Sequence, residues 1–337
     1  MRHGPSTRMI VRISGAGGLA GAVYSCIAHN DAFAGAVIGG VNGAAVPWLE
    51  ITLRGPAGAP LRRLPFLGLL ALRSALFLAV IVLINVVCVP LVNGFDWMRV
   101  LESSDIVFAA AATIVGNLLL GVEDLLGRGV LFAFVAGRYH RPRVEERVLL
   151  FVDLRASTAT AERLGGARFL DFLNAVFADL SAAIAEHDGE IHKYVGDEVI
   201  ATWRLSPGRN DARIVRAFVS GRARLAAGAD DCRREFGLVP DFRAALHAGE
   251  VVVGELGSLK KEIALIGDPM NTAARILDAC RDLDCPALAS SALLERLDGL
   301  PASIAPRAIA PLSLRGKSEP LELFALERED APAMAPV

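Results

Sequence analysis

The stretch IHKYVGDEVIATW, residues 191–203, decides how the C-terminal half of this chain folds. Ile191, Tyr194, Val195, Val199, Ile200 and Trp203 supply the apolar side chains of a buried strand pair, and Gly196 supplies a tight turn between them. Lys193, Asp197 and Glu198 interrupt that pattern, so the tip of the hairpin carries a cation and two carboxylates. By strand alternation Glu198 points to the sheet face opposite Asp197, which leaves Lys193 and Asp197 as the residues with chemistry to explain.

Outward from the hairpin, strands and helices alternate. RVLLFVDL (147–154) is a short buried strand that ends in Asp153, and LRASTA follows it as a small-residue turn opening a helix. Phe169, Phe172, Leu173, Val176 and Leu180 recur at helical spacing before the hairpin, and a second long helix spans about 210–236. DFRAALHAGEVVVGELG (241–257) reads as two strands joined by a tight turn at Ala248–Gly249, and DPMNTAARILDAC (268–280) reads as a helix. This order predicts an α+β domain whose sheet is covered on one face by helices.

Asp153 at a strand end and Asp197 at a neighbouring hairpin tip can converge at one sheet edge. Each alone is equally a turn former. Together they form a hard oxygen site suited to Mg²⁺, which takes one or two carboxylates and completes its shell with substrate phosphates. The helix start after Asp153 offers backbone N–H groups to a phosphate. No GxxxxGK[ST] run occurs, so this is no P-loop nucleotide site.

Composition divides the 337 residues into two halves. Hydrophobic residues make up 53% of the chain, and the first 125 positions are dominated by Ala, Gly, Val, Leu and Ile. Four segments, 10–28, 33–52, 66–92 and 105–123, approach the roughly 20 apolar residues of a membrane-spanning helix. The first two are also readable as one re-entrant pair, and residues 1–28 as a signal peptide whose apolar region Arg12 breaks. Arginines 2, 8, 12, 54, 62, 63, 128, 138, 141, 143 and 147 flank one side of the spans, which predicts cytoplasmic termini and a multi-pass inner-membrane protein. Gly35, Gly39 and Gly43 recur every four residues, a spacing that lets helices approach closely in lipid; GAGGLA (15–20) has no preceding strand and is read the same way.

The resulting organisation is a membrane domain over 1–124, a connector over 125–146, a catalytic domain over 147–326 and a disordered acidic tail over 327–337. A net charge of −2 offers no field for nucleic acid. The five cysteines show no CxxC or Cys/His ligand spacing.

FVDLRAST, GEIHKYVGDEVIATW, ALHAGEVVVGELG and IGDPMNTAARI, in this order and spacing, resemble the catalytic domain of class III nucleotidyl cyclases over about residues 147–326. The resemblance implies a ferredoxin-like α+β fold acting as a head-to-tail homodimer, with ATP cyclised to 3′,5′-cyclic AMP and pyrophosphate. It implies two Mg²⁺ or Mn²⁺ per site, held by Asp153, Asp197 and the backbone at Leu154. Asn271 matches the ribose-positioning asparagine, Arg275 the transition-state arginine and Lys317, with Arg315 nearby, the triphosphate-binding lysine.

Lys193 matches the purine-reading position, where a lysine points to adenylate rather than guanylate cyclases. The second purine-reading position, seven residues before Asn271, departs from the pattern: it is Ala264, which offers no acceptor to the adenine amino group. A guanylate or dual-specificity cyclase is therefore the alternative, and a membrane receptor or scaffold with an inactive nucleotide-binding domain is the alternative of another class. His192 and His247 are read as structural. The sequence names no ligand for the membrane half.

Overall fold

The computed structural model describes residues 32–54, 64–93, 103–126, 130–205, 212–311 and 320–328, together with residues 19, 22, 23, 26 and 61. The chain divides into two compact units, Met1–Leu125 and Leu126–Val337.

In the first unit, α1 (Ala32–Arg54), α2 (Phe66–Asn93) and α3 (Ser103–Leu126) enclose three of the expected spans. Segment 10–28 falls almost wholly outside the described residues. Among those described, one stretch, Phe66–Cys88, is long and apolar enough to cross a membrane. Arg73, the charge that interrupts this stretch, is ion-paired to the buried Glu50 of α1. Asn117 Nδ2 of α3 donates to Ser74 Oγ of α2 at 3.2 Å. Both contacts satisfy polar groups between helices, which apolar side chains alone would leave stranded.

The second unit begins with a short helix, α4 (Val130–Val135), and is built on a mixed eight-stranded sheet. Its strands are β1 (Arg143–Leu154), β2 (Glu190–Val195), β3 (Glu198–Arg204), β4 (Phe242–Leu256), β5 (Glu262–Ile266), β6 (Ala287–Ser290), β7 (Ile304–Ala308) and β8 (Leu323–Arg328). The order is β2-β3-β1-β4-β6-β8-β7, with β5 paired to β4. Among the described strands only β4 and β6 pair in parallel. The helices are α5 (Ser157–Leu164), α6 (Gly166–Glu186), α7 (Arg213–Ala227), α8 (Ala229–Phe236), α9 (Asp268–Asp282) and α10 (Ser291–Leu294).

Alternation along β1 sorts two cores. Val148, Leu150, Val152 and Leu154 face Phe172, Val176 and Leu180 of α6 and Ile214, Val215 and Phe218 of α7. Leu149 and Phe151 face the other way, onto Ala273, Ile276, Leu277 and Cys280 of α9. Helices therefore cover both faces, not one as the element order suggested. The continuous burial of β1 from Arg147 to Leu154 has the same cause.

The tight turn expected at Ala248–Gly249 is absent: β4 runs unbroken through both residues for 15 positions. Gly249 is there for close approach, since a Cβ at that site would lie 2.5 Å from Pro269 Cγ at the start of α9. The long helix expected over 210–236 is likewise two helices, α7 and α8, divided at Gly228.

Candidate active site

The turn between β2 and β3 is where the sequence placed it. Gly196 has φ 62°, a left-handed conformation that a residue without Cβ adopts freely. Asp197 follows it, and β3 then pairs with β1 so that Glu198 stands directly opposite Asp153. Direct partners in an antiparallel pair project from the same sheet face. Glu198 therefore shares a face with Asp153, and the expectation that it points away from the site is corrected. Sequence spacing counted alternation from Asp197, but Asp197 belongs to the turn, and only the β1–β3 register fixes the face.

Three carboxylates consequently gather at the end of β1. Asp153 is buried, and burial together with the neighbouring Asp197 carboxyl raises its pKa against the opposing pull of Arg281. Glu198 is pushed up to about 7, first by burial and then by the charges of Asp153 and Asp197. Arg281 Nη2 of α9 donates to Asp153 Oδ2 at 3.2 Å and lies 3.6 Å from Asp278 through Nη1. Sequence reasoning missed Arg281, whose approach depends on how α9 docks on the sheet.

The donor set fits a hard divalent cation. Carboxylates crowded into a half-buried site are relieved by positive charge, and their oxygens are the ligands Mg²⁺ and Mn²⁺ prefer. Among the described residues no group of three or more His, Cys, Asp or Glu is gathered in metal-binding geometry. Asp153 and Asp197 alone satisfy what Mg²⁺ asks of a protein when phosphates complete its shell. Leu154 is buried at the end of β1, where its side chain belongs to the core.

The other expected site residues are spread across the unit. Lys193 lies opposite Ile200 in the β2–β3 ladder, and its Nζ is 3.3 Å from Glu262 Oε1 on β5. Ala264 lies two residues further along β5, opposite Gly254. Asn271 is exposed and Arg275 half-buried, four residues apart on α9; among the described residues no hydrogen bond or ion pair joins either side chain to Asp153 or Asp197. Lys317 and Arg315 lie outside the described residues.

His247 Nδ1 is 2.7 Å from Ser290 Oγ, which accepts from the Leu293 amide, so this histidine is a buried structural link. His192 is pushed down to about 4, chiefly by burial and then by Lys193.

At the start of β1 a second polar cluster is buried. Arg147 Nη2 donates to Glu145 Oε2 at 2.7 Å and to the Tyr139 hydroxyl at 3.1 Å, and its Nη1 donates to Glu190 Oε2 at 3.1 Å. Arg204 also donates to the Tyr139 hydroxyl. The five donors of a guanidinium suit such a hub. Burial pushes Glu145 up, but the charge and hydrogen bonds of Arg147 prevail and hold it below the ordinary carboxylate range.

Residues 140–285 match the family described as adenylate and guanylate cyclase catalytic domain. Adenylate cyclase 2 of Rhizobium meliloti (strain 1021) is 35% identical over 221 residues, covering 66% of this chain and 61% of that protein. Adenylate cyclase 1 of the same organism is 26% identical over 207 residues, covering 60% of this chain and 30% of its own length. The chain thus spans less than two thirds of either relative. Two structures of a bacterial light-regulated adenylyl cyclase share the fold. One has a TM-score of 0.54 at 18% identity, covering 65% of this chain and 64% of the other; the second has 0.53 at 19%, covering 70% and 67%. Over residues 140–285 the chain is thus similar to the adenylate and guanylate cyclase catalytic domain.

Proposed function

We propose that the chain is a membrane-anchored adenylate cyclase that converts ATP to 3′,5′-cyclic AMP and pyrophosphate at a homodimer interface. The observation that carries this reading is the gathering of Asp153 and Asp197 at the buried end of β1, on a sheet that also bears Lys193. Asp153, Asp197 and the backbone at Leu154 would hold two Mg²⁺ or Mn²⁺, which lower the pKa of the ribose 3′-hydroxyl and neutralise the triphosphate. Asn271 orients the ribose, and Arg275 stabilises charge that grows on the reacting phosphoryl group. Lys317 contacts the triphosphate. Lys193 donates to adenine N1, an acceptor in adenine and a donor in guanine.

Two features support a composite site made by two copies. Among the described residues neither Asn271 nor Arg275 bonds to Asp153 or Asp197, which leaves both side chains available to a partner's carboxylate site. The β4–β5 arm also exposes Val252, Leu256, Leu259 and Ile266 together, an apolar surface suited to a second copy. The membrane reading is supported by Phe66–Cys88 and by the arginine-flanked apolar segments of the sequence; on this reading the termini and the catalytic domain lie in the cytoplasm at the inner membrane. The first unit would anchor the dimer to the lipid bilayer, with any ligand of its own unidentified.

The test uses the full chain in lipid nanodiscs with ATP or GTP and Mg²⁺ or Mn²⁺. Cyclic AMP formation abolished by Asp197→Ala is the expected result; nucleotide binding without turnover would instead favour a receptor or scaffold. Ala264 favours one second reading, a guanylate or dual-specificity cyclase, and cyclic GMP as the main product would establish it. Mixing Asp153→Ala and Arg275→Ala chains should restore activity, because one of the two shared sites is then intact. Recovery of the chain in alkali-washed membranes checks the anchor.

A further inference from the structure

Lys193 and Glu262 are far apart in sequence and belong to strands that do not pair, yet Nζ and Oε1 are 3.3 Å apart. Glu262 pairs with Leu256, Ala264 with Gly254 and Ile266 with Val252, so Glu262, Ala264 and Ile266 share one face of β5. Ile263 and Leu265 alternate to the other face, where they pack on Ala133, Tyr139, Val251 and Val253. Glu262 thus stands on the same face as Ala264, about 7 Å away along the strand, and its side chain is longer than alanine's by one methylene and a carboxylate. Ala264 places nothing beyond a methyl group on that face.

We propose that Glu262 supplies the acceptor that Ala264 lacks and, beside Lys193, reads the 6-amino group of the purine. This rests on the adenylate cyclase reading. Lys193 offers only donors and an ionised Glu262 only acceptors, so the pair presents one of each side by side. Adenine matches that order: N1 accepts from Lys193 and the adjacent 6-amino group donates to Glu262. Guanine inverts it, setting N1–H against the ammonium and O6 against the carboxylate.

The pair is also available to a ligand. Both side chains are more than a third exposed, so solvent screens their mutual attraction and leaves it weak. The ammonium keeps two further N–H groups and the carboxylate several lone pairs, so each can bond a base without leaving the other.

The experiment measures kcat/KM for ATP and GTP, together with competition of non-hydrolysable ATP and GTP analogues against a fluorescent nucleotide, on the full chain in nanodiscs. Glu262→Ala is expected to lower the ATP-over-GTP ratio roughly 5- to 150-fold, the range for leaving one polar partner unpaired. Glu262→Gln keeps the shape and one acceptor oxygen, and should lose less. Glu262→Ala combined with Ala264→Asp should recover the ratio.

An unchanged ratio in Glu262→Ala, in binding and in turnover, overturns the proposal, as does a wild-type chain that binds both analogues equally. A chain that makes no cyclic nucleotide removes the enzymatic reading alone. A binding preference for the ATP analogue that Glu262→Ala abolishes would still uphold the role of Glu262, whereas a preference that survives would sink it.

Discussion

Arg281 reaches across from α9 to place a guanidinium 3.2 Å from the Asp153 carboxylate, the group through which the chain would hold metal. The arginine already answers the charge that a divalent cation would answer. Asp278, 3.6 Å from the same guanidinium, gives it a second carboxylate when a cation arrives.

Arg281→Gln is therefore expected to bind Mn²⁺ more tightly and to be less stable in chelator. Arg281 is more than half exposed, so the gain should be modest, roughly fivefold at most in the half-saturating concentration. Calorimetric titration of Mn²⁺ and thermal melts in EDTA check both. Equal affinity in the two proteins would show that Arg281 and metal do not compete.

Glu198 gives the metal-free protein a pH dependence with a definite sign. Its pKa rises from an ordinary 4.5 to about 7 in the folded state, so between these values the folded chain binds the extra proton. Stability then falls as pH climbs from about 4.5 to about 7 and levels off above. Asp153, also raised, adds a fall in the same direction. Tm in EDTA should drop by several degrees across that window, and Glu198→Gln should remove much of the slope. Saturating Mg²⁺ should flatten the profile as well, because it stabilises the ionised carboxylates.

Arg147 is the charge whose removal should cost most. Arg147→Met leaves Glu145 and Glu190 without their shared cation and is expected to cost about 3–5 kcal/mol. Tyr139→Phe deletes one hydroxyl from the same network and should cost about 1–3 kcal/mol. Urea unfolding of the two variants measures the difference, and similar costs would mean that the hydroxyl, not the ion pairs, holds the cluster together.

Gly249→Ala sets a methyl group against Pro269 and should push α9 away from β4. Overpacking of this kind costs about 1–3 kcal/mol. Asn271 and Arg275 ride on the displaced helix, so turnover should fall further than stability alone explains. A variant with normal kcat and reduced Tm would separate helix docking from catalysis.

Much of this was legible because the signals are local. Gly196 marks a turn between two apolar runs, and Asp153 ends a strand whose pattern is complete within eight residues. What the sequence hid is non-local. A glycine marks either a turn or a close approach, and Gly249 becomes the second only once Pro269 is brought against it. Glu198 faces Asp153 because of a register set 45 residues away in sequence. Arg281 and Glu262 carry no motif of their own; each matters through a partner on an element that the chain reaches much earlier.

The strand β1 also sets a length that the gene cannot change freely. Arg147 and Asp153 lie on one face of it, six residues or about 20 Å apart, one anchored in the buried cluster with Tyr139 and Glu145, the other in the acidic site. Any single apolar exchange between them alters packing by degrees. One inserted codon would instead turn Asp153 into the core of Leu150 and Val152, and two would restore the face but carry the carboxylate past Glu198. Over that span the lineage is free to vary its letters but not their number.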